Sequence, residues 1–161
     1  MSHYWIYHVY LFSVFPCLIR RMRYPIPRPP TYAFRVGRSS SGFGIFALED
    51  IPARRFIIEY WGKLVRSEIA DTVGGRYLFD LENGFTVLGG TRKNIARYIN
   101  HACRPNAEVR FEKNRIFIYS TKRIKAGEEV TYDYGKEYFN MFIKPHGCRC
   151  KTCVKRREKK N

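Results

Sequence analysis

Short runs of β-branched and aromatic residues, separated by turn residues, make up the middle of the chain. Such runs predict strands, because these side chains pack well on a pleated and half-buried surface. Asn83-Gly84 and Lys113-Asn114 separate consecutive runs and predict two hairpins. The predicted strands cover residues 33–38, 45–48, 55–62, 77–81, 85–89, 107–112, 115–120 and 130–135.

Helical signals are few. Ser67 is an N-cap candidate ahead of an amphipathic run, which predicts a short helix over 67–73 that ends at Gly74-Gly75. A second short helical piece is predicted for 136–142. With 161 residues, the chain has the length of one domain with its own core. The predicted fold class is therefore β-rich α+β, built from short twisted sheets.

The stretch 4–19 near the N-terminus is apolar, but His8 and Pro16 interrupt it. It is shorter than the roughly 20 residues that a membrane span needs. Three interpretations stay open: an uncleaved anchor, a structural arm, or translated sequence upstream of a start at Met22. A Pro-rich extended leader follows. Residues 1–31 are therefore assigned to an N-terminal arm and leader, and a membrane is not an expected partner.

The chain is strongly basic, with 30 Lys and Arg residues against 14 Asp and Glu residues and a formal net charge of +16. Such a field attracts polyanions, among them nucleic acid, anionic lipid, acidic proteins and anionic cofactors. The hydrophobic share of 45% argues against a disordered or fibrous chain. The tail 155–161, KRREKKN, is predicted to be solvated and disordered, with nuclear import as a second interpretation.

Three of the five cysteines crowd into a CxCxxC sequence formed by Cys148, Cys150 and Cys153. Thiolates at this spacing can point at one ion, and a sulfur-only zinc site uses four of them in a tetrahedron. The fourth ligand has to come from Cys103 or Cys17, and Cys103 lies in a polar turn that contains Pro105. An iron–sulfur cluster and free or disulfide-bonded cysteines are the alternatives.

Two further stretches allow both a structural and a functional interpretation. SSGFGIFA contains Gly42 and Gly44, which suit a tight turn or a close approach of the backbone to a ligand. GEEVTYDYG places Tyr132 and Tyr134 two residues apart, so both side chains lie on one face of a strand. Those rings suit either ordinary core packing or the wall of an aromatic channel.

Taken in order, GFGIFA, RYINHACRPN, EEVTYDYG and CxCxxC strongly resemble the motifs of the SET-domain protein lysine methyltransferases. EYWG and YLFDL also look like segments of that family, and the resemblance covers residues 32–154. It implies a SET-domain fold with a C-terminal pseudoknot and a zinc-bound tail. The implied domains are a SET domain at 32–135, a post-SET zinc-binding segment at 136–154 and a basic tail at 155–161.

The resemblance assigns roles to individual residues. Tyr134 matches the catalytic tyrosine, with Tyr132 and Tyr77 as further walls of the lysine channel. The implied cofactor is S-adenosylmethionine. Its implied pocket residues are Gly42, Phe43, Gly44, Arg97, Asn100, His101 and Tyr134. The implied zinc ligands are Cys103, Cys148, Cys150 and Cys153.

The function implied by the resemblance is methyl transfer to a lysine of a histone or another nucleic-acid-associated protein. Tyr132 occupies a place where family members carry Phe or Tyr, and its phenol predicts mainly mono- or dimethylation. The alternative is a non-catalytic, zinc-stabilised basic module that binds nucleic acid or chromatin. An intracellular location is expected: the nucleus if the protein is eukaryotic or acts on host chromatin, and the cytoplasm otherwise.

Three features depart from the common pattern of the family. Only Lys151-Thr152 separate the last two cysteines of the tail, where many chromatin-associated members have four residues. NHAC replaces the commoner NHSC, and no cysteine-rich segment precedes the domain. The zinc loop is therefore expected to close more tightly than usual.

Overall fold

The computed structural model describes residues 26–159, and the predictions for 4–19 and Met22 lie outside these residues. The β-rich α+β class is confirmed, since short strands form four small sheets in the described part. The strands are β1 (Phe34–Ser39), β2 (Gly42–Ala47), β3 (Phe56–Tyr60), β4 (Lys63–Arg66), β5 (Leu78–Asp80), β6 (Phe85–Leu88), β7 (Asn100–His101), β8 (Ala107–Glu112), β9 (Arg115–Ser120) and β10 (Thr131–Tyr132).

Helices are short and lie between the sheets or in the tail. They are α1 (Ser67–Val73), a 3-10 turn (Ile95–Tyr98), α2 (Lys136–Tyr138), a π turn (Phe139–Ile143), a 3-10 turn (Lys144–His146) and α3 (Lys151–Glu158). Within residues 26–159, no helix has the length and apolar character needed to cross a bilayer. The predicted bounds of α1 are confirmed, but the N-cap prediction is wrong: Arg66 is the N-cap residue, and Ser67 is the first residue of the helix.

Three of the sheets are antiparallel and the fourth is a parallel pair. The orders are β1-β2, β3-β9-β8, β4-β6-β5 and β7-β10. Both predicted hairpins form: β5 pairs with β6, and β8 pairs with β9. Lys113 and Asn114 have φ values of 46° and 63°, the left-handed conformation that a tight hairpin turn requires.

The core lies where these sheets pack together, and it is mostly isoleucine. Ile57 on β3 and Ile116 and Ile118 on β9 have no exposed surface. Ile99, directly ahead of β7, is 1% exposed and belongs to the same cluster. Because β-branched side chains fill the pleated surfaces of both strands, the sheets form a rigid support on which β7 and β10 rest.

Several sequence expectations were wrong in detail. The turn in SSGFGIFA lies at Ser40-Ser41, and Gly42 and Gly44 belong to β2, where they pair with Ser39 and Gly37. The strand predicted for 130–135 is restricted to β10. The tail is helical in α3 as far as Glu158, which contradicts the disorder predicted for that part. β4 and the 3-10 turn at Ile95–Tyr98 were not predicted, because neither segment shows a clear strand or helix periodicity of apolar residues.

The leader contacts the sheets. The Arg28 backbone N–H donates to the Glu59 carboxylate, and the Arg28 guanidinium lies 4.1 Å from the centre of the Phe56 ring. The Thr31 N–H donates to the Ile57 carbonyl at 3.2 Å. Residues 28–31 therefore run along β3 and cover its edge.

Candidate active site

The parallel pairing of β7 with β10 brings together two motifs that lie about 30 residues apart in the chain. Asn100 lies opposite Thr131 and His101 opposite Tyr132. Just beyond the pair, the Tyr134 N–H donates to His101 Nδ1 at 3.2 Å, and the two rings are 5.6 Å apart. The structure thus joins the Asn-His pair to the tyrosine pair, a contact that no local sequence pattern reveals.

Tyr134 is fixed through its hydroxyl group, which donates to the Ile99 carbonyl at 2.7 Å. Its ring lies 5.0 Å from Tyr132 and 5.1 Å from Tyr138, centre to centre. Burial, followed by the neighbouring phenols of Tyr138 and Tyr77, raises the pKa of Tyr134 above its ordinary value. The phenol is therefore neutral at physiological pH.

Tyr132 is more deeply buried than Tyr134, with 7% of its surface exposed. Burial, and then the nearby phenol of Tyr134, raises the pKa of Tyr132 well above its ordinary value. Its ring also lies 6.2 Å from Phe79. The two tyrosine rings are neighbours, 5.0 Å apart, and form an aromatic wall, although Tyr134 lies beyond the end of β10 and not on the strand face predicted for it.

Tyr77 closes another side of this region, just ahead of β5. Its φ of 68° is in the left-handed region, and its carbonyl accepts the Tyr60 hydroxyl at 2.7 Å. The Arg97 guanidinium lies 3.7 Å from the centre of the Tyr77 ring and donates to the Gly90 carbonyl. Arg97 thus holds Tyr77 by a cation–π contact, a role that the sequence pattern did not predict for it.

Asn100 links the β1–β2 hairpin to β10. Its Nδ2 donates to the Phe43 carbonyl at 2.9 Å and to Glu129 Oε1 at 2.8 Å. Phe43 itself is 53% exposed, and its ring lies 6.1 Å from Tyr98. Gly42 has a φ of 113°, which favours glycine at the start of β2.

An open cleft of about 170 Å³ adjoins the Asn-His pair. Asn100 and His101 are the predicted cofactor residues that line it. The other five, Gly42, Phe43, Gly44, Arg97 and Tyr134, are not part of its described lining. The lining consists of Ser39, Ser40, Ser41, Asn100, His101, Ala102, Arg104, Asn106, Lys122, Glu128, Glu129, Thr131, Cys150, Lys151 and Thr152. Glu129 was not among the predicted site residues, because an acidic residue in GEEV is typical of an ordinary solvated charge.

His101 connects the tyrosine wall to the cysteines. Because its Nδ1 accepts the Tyr134 N–H, its Nε2 is left to carry the ring proton, and it lies 3.5 Å from Cys103 Sγ. Burial lowers the pKa of His101, and the nearby Asp133 carboxylate opposes that shift. A neutral imidazole therefore separates the two sites.

The four predicted metal ligands converge. The Sγ atoms of Cys103, Cys148, Cys150 and Cys153 all lie within 4.8 Å of one another. Cys103 Sγ is 3.8 Å from Cys148 Sγ and 3.6 Å from Cys153 Sγ. None of the four is disulfide-bonded, so the disulfide alternative does not apply to these cysteines. Cys17 lies outside the described residues.

The geometry suits a tetrahedral ion. With Zn–S bonds of about 2.3 Å, tetrahedral sulfurs lie about 3.8 Å apart, close to the separations observed. Burial alone would raise the pKa of the Cys150 thiol, but backbone N–H groups of Cys103 and Cys153 hold it at about 7. Burial raises the pKa values of Cys103 and Cys148, so of these three thiols only Cys150 is favoured as a thiolate by its surroundings.

A match to a protein-family profile identifies the family of this chain. The profile described as "SET domain" matches residues 42–135. The chain belongs to the SET-domain family. The resemblance found in the sequence motifs is confirmed, and so is the predicted SET-domain fold, with its small antiparallel sheets and few helices.

Relatives of this SET domain include named histone-lysine N-methyltransferases. ATXR7 of Arabidopsis thaliana is 41% identical over 105 residues, which cover 57% of this chain and 7% of that protein. EHMT1 of Homo sapiens is 36% identical over 124 residues, or 68% of this chain and 9% of that protein. This chain therefore spans only about a tenth of the length of these curated relatives.

Solved structures show the same fold. The crystal structure of an active polycomb repressive complex 2 in the stimulated state contains a chain that matches with a TM-score of 0.62 and 33% identity. The match covers 70% of this chain and 16% of the other. The Chaetomium thermophilum polycomb repressive complex 2 matches with a TM-score of 0.61 and 32% identity, over 69% of this chain and 16% of the other.

Proposed function

We propose that this SET domain transfers a methyl group from S-adenosylmethionine to the side-chain amine of a lysine in a protein. The substrate we propose is a histone or another nucleic-acid-associated protein. The observation that carries the proposal is the contact between Tyr134 and His101, which joins the catalytic tyrosine to the Asn-His pair of the cofactor site. The names of the relatives support the same reaction class.

The aromatic wall suits a lysine that must lose its proton. A free lysine has a pKa of about 10.4, so the site has to favour the neutral amine. The buried ring of Tyr132 and the half-buried ring of Tyr134 exclude water, which disfavours the ammonium form. The two phenols add no negative charge that would stabilise the ammonium form, because their raised pKa values keep them neutral.

Alignment is the remaining task for the chain. S-adenosylmethionine, when bound, supplies a methyl group carried on a positively charged sulfur. The Tyr134 hydroxyl donates a hydrogen bond to the Ile99 carbonyl. The lone pairs of the Tyr134 oxygen therefore remain to accept an N–H of the substrate amine. Tyr77, held under Arg97, forms the opposite wall. Such positioning can lower the barrier by several kcal/mol.

The cofactor contacts that we propose combine the hairpin and β7. Asn100 and His101 line the cleft, and Asn100 offers a directed hydrogen bond to the amino-acid part of the cofactor. The ring nitrogens of His101 face Tyr134 and Cys103, so His101 contributes the wall of the cleft. Phe43 offers an exposed ring close by. The proposed pocket residues are Gly42, Phe43, Gly44, Arg97, Asn100, His101 and Tyr134.

Zinc is the metal that we propose for the four cysteines. The all-sulfur donor set and the sulfur separations suit a structural zinc ion better than a cation that prefers oxygen ligands. The proposed segment is 136–154, placed after a SET domain at 32–135. Thiolate ligands also favour an intracellular, reducing location, at chromatin if the substrate is a histone.

Mono- or dimethyl-lysine is the main product that we propose. Tyr132 is buried beside Tyr134, so its phenol occupies space that a second or third methyl group would need. Tyr132→Phe should shift the product distribution towards trimethyl-lysine. Mass spectrometry of early products measures this, and trimethyl-lysine as the main early product of the unmodified chain would contradict the proposal.

We also propose that α3 contacts the backbone of nucleic acid. Residues 151–159 contain five Lys and Arg residues and one acid, Glu158, and the helix has no buried residue. Lys151, Lys155 and Lys159 recur every fourth position, where like charges destabilise an isolated helix. Arg157 anchors the helix by donating to the Cys148 carbonyl at 2.9 Å. A polyanion would relieve the repulsion and bind along this face.

The salt dependence of duplex DNA binding tests this contact. Lys155→Gln/Arg156→Gln should lower the slope of log affinity against log salt by about 2, roughly one per lost phosphate contact. The control Arg92→Gln/Lys93→Gln removes the same two charges from a loop outside the tail. Equal losses in both double variants would point to diffuse attraction and contradict a contact made by α3.

The main test is methyl transfer from labelled S-adenosylmethionine to free histones, nucleosomes and a cell lysate. Tyr134→Phe should lower turnover about 100-fold or more while it leaves the fold intact. Tyr119→Phe removes a phenol from β9, away from the site, and should keep normal turnover. Label on a histone band, absent with Tyr134→Phe, would support the proposed substrate.

Other outcomes separate the parts of the proposal. Label restricted to non-histone proteins of the lysate would support the proposed reaction and exclude histones as its substrate. Near-normal turnover by Tyr134→Phe would contradict the role of Tyr134. Absence of S-adenosylmethionine binding by the zinc-loaded chain, measured by calorimetry, would contradict the proposed reaction itself.

A further inference from the structure

The amide of Asn100 has a fixed orientation. An asparagine amide nitrogen carries two protons, and here one goes to the Phe43 carbonyl and the other to Glu129 Oε1. With both donors occupied, Oδ1 is the atom of this amide that remains to meet a ligand. Asn100 therefore offers the cleft an acceptor, which suits a cationic group such as an ammonium.

Glu129 is unusual for an acidic residue because only 8% of its surface is exposed. Its backbone is held on both sides: it bridges Phe46, and its carbonyl accepts Asn106 Nδ2 at 2.8 Å. Its side chain lines the cleft and reaches Asn100. A buried carboxylate held this firmly has a fixed orientation, and here it points towards the amide of Asn100.

Gly44 makes room for this carboxylate. A Cβ atom at position 44 would overlap Glu129 Oε1 and lie 3.1 Å from both Glu129 Cδ and Ser39 Cβ. The φ of Gly44 is not in the left-handed region, so space rather than backbone conformation explains the glycine. The close approach inferred for this glycine from the sequence is thus made by a side chain of the protein itself.

We propose that Glu129 is a positioning residue that turns the oxygen of Asn100 towards the cationic amino-acid end of the cofactor, in the space that Gly44 provides. This inference rests on the proposed function, because it concerns the same cofactor. Glu129 acts through Asn100 and takes no part in the methyl transfer. It should therefore affect cofactor affinity and leave the handling of the peptide substrate unchanged.

The test measures cofactor binding by calorimetry and the KM values of both substrates, using the zinc-loaded full chain. Glu129→Ala should weaken S-adenosylmethionine binding about tenfold or more, the size expected for losing one charge-assisted hydrogen bond. The KM of the peptide and the Tm should change little. Glu129→Gln keeps a carbonyl that can accept from Asn100, and it should retain most of the affinity.

Two further variants make the test independent of the folding of Glu129→Ala. Gly44→Ala displaces the carboxylate and should weaken cofactor binding to a similar degree, with no further loss when combined with Glu129→Ala. Asn100→Asp places two carboxylates face to face, and adding Glu129→Gln should recover part of the lost affinity. Glu112→Gln, at an exposed glutamate that ends β8 and lies outside the lining of the cleft, is the matched control.

The outcomes distinguish this inference from the proposed function. If the unmodified chain binds the cofactor and Glu129→Ala binds it within twofold, the positioning role is wrong and the proposed reaction stands. If Glu129→Gln is as weak as Glu129→Ala, charge rather than orientation is the cause, and the inference is also wrong. If the unmodified chain does not bind S-adenosylmethionine, the proposed function itself fails.

Discussion

The sheets and the tail of this molecule are held together by different forces. In the sheets, the fully buried side chains are mostly isoleucines, supported by backbone ladders. In the tail, the buried residues are Cys148 and Cys150, which pack with Ala102. α3 buries nothing. We therefore expect apolar burial to provide most of the stability of the sheets, and the proposed zinc ion to hold the tail.

Removal of zinc should produce the largest difference between the two regions. Structural zinc contributes on the order of 10–16 kcal/mol of apparent binding free energy in small sites, so Cys103→Ser or a strong chelator should release the tail. Methyl transfer should then be lost, because Tyr138 and the turns after it pack between Tyr134 and the cysteines. Limited proteolysis should cut within 144–159 while the sheets resist.

Ala102→Ser is the matched control for this experiment, because it changes a neighbour of the cysteines without removing a ligand. It also restores the commoner NHSC sequence at this position. Metal analysis should find one zinc per chain for this control and none for Cys103→Ser. Equal protease resistance of the chelated and metal-loaded chains would contradict the dependence of the tail on metal.

The hairpins and the cysteine set were readable in the sequence because their signals are local. β8 and β9 follow from β-branched runs on either side of Lys113-Asn114, and the CxCxxC spacing brings three thiols together. The contact of Tyr134 with His101 is different, because it depends on strands that pair across 30 residues. Only the family resemblance could predict it.

Other features carried no signal of their own. The Glu129 bond to Asn100 depends on two chain segments that meet only in the fold. Arg97 matched a cofactor residue by resemblance. Its contact with Tyr77, a residue with a left-handed backbone, had no signal in the sequence. α3 lacks an apolar face, so its charges indicated disorder although Arg157 fixes it to the cysteine loop.

An ion pair with one buried partner should show that the sheets also depend on one charge contact. Arg115 donates to Glu59 at 2.8 and 2.6 Å; the Glu59 side chain is 1% exposed and the Arg115 side chain is 36% exposed. Arg115→Met should lower the free energy of unfolding of the sheets by about 3 kcal/mol, the lower end for a buried pair, because it leaves a buried carboxylate with the Arg28 N–H but without its charged partner. Urea unfolding followed by near-UV circular dichroism measures this loss.

Two controls sharpen that result. Arg110→Met removes an exposed pair with Glu108 and should cost less than about 1 kcal/mol. The double change Glu59→Met/Arg115→Met removes both charges and should recover much of the stability. If Arg115→Met costs no more than Arg110→Met, the Glu59 pair does not stabilise the sheets.

Phe139 is the apolar link between the two regions, and its removal should have a smaller effect. Its ring lies 5.2 Å from His101 and packs with the cysteine cluster. Phe139→Ala should cost the tail about 2 kcal/mol, less than a fully buried phenylalanine, because the site is only half-buried. Zinc should then transfer to a chromogenic chelator faster, while the unfolding midpoint of the sheets stays constant.

Phe142→Ala is the control for Phe139→Ala, since Phe142 is 54% exposed and is not among the residues that pack against the cysteine cluster. It should release zinc at the rate of the unmodified chain. Faster release from Phe142→Ala than from Phe139→Ala would mean that the link between the regions runs through the exposed aromatic residues instead.

The smallest expected effect concerns Asp50, which ties two surface turns of the sheet region together. The Ala126 N–H, followed by the Arg123 guanidinium, lowers the pKa of Asp50 below its ordinary value of 3.8. A lowered pKa in the folded state means that the stabilisation is complete above pH 3.8 and is lost as the pH falls through the lowered value. Asp50→Asn should therefore be less stable than the unmodified chain at neutral pH, and the gap should close on acidification.

Urea midpoints from pH 7 down to about pH 3 measure this gap, with Asp71→Asn on the exposed side of α1 as a matched loss of charge. Because Asp50 contacts only the sheet region, the same titration should not change the rate of zinc release from the tail at neutral pH. A gap that widens as the pH falls would reverse the sign expected for a carboxylate stabilised by its partners. That result would mean that the turn, and with it the edge of the sheets, does not depend on the charge of Asp50.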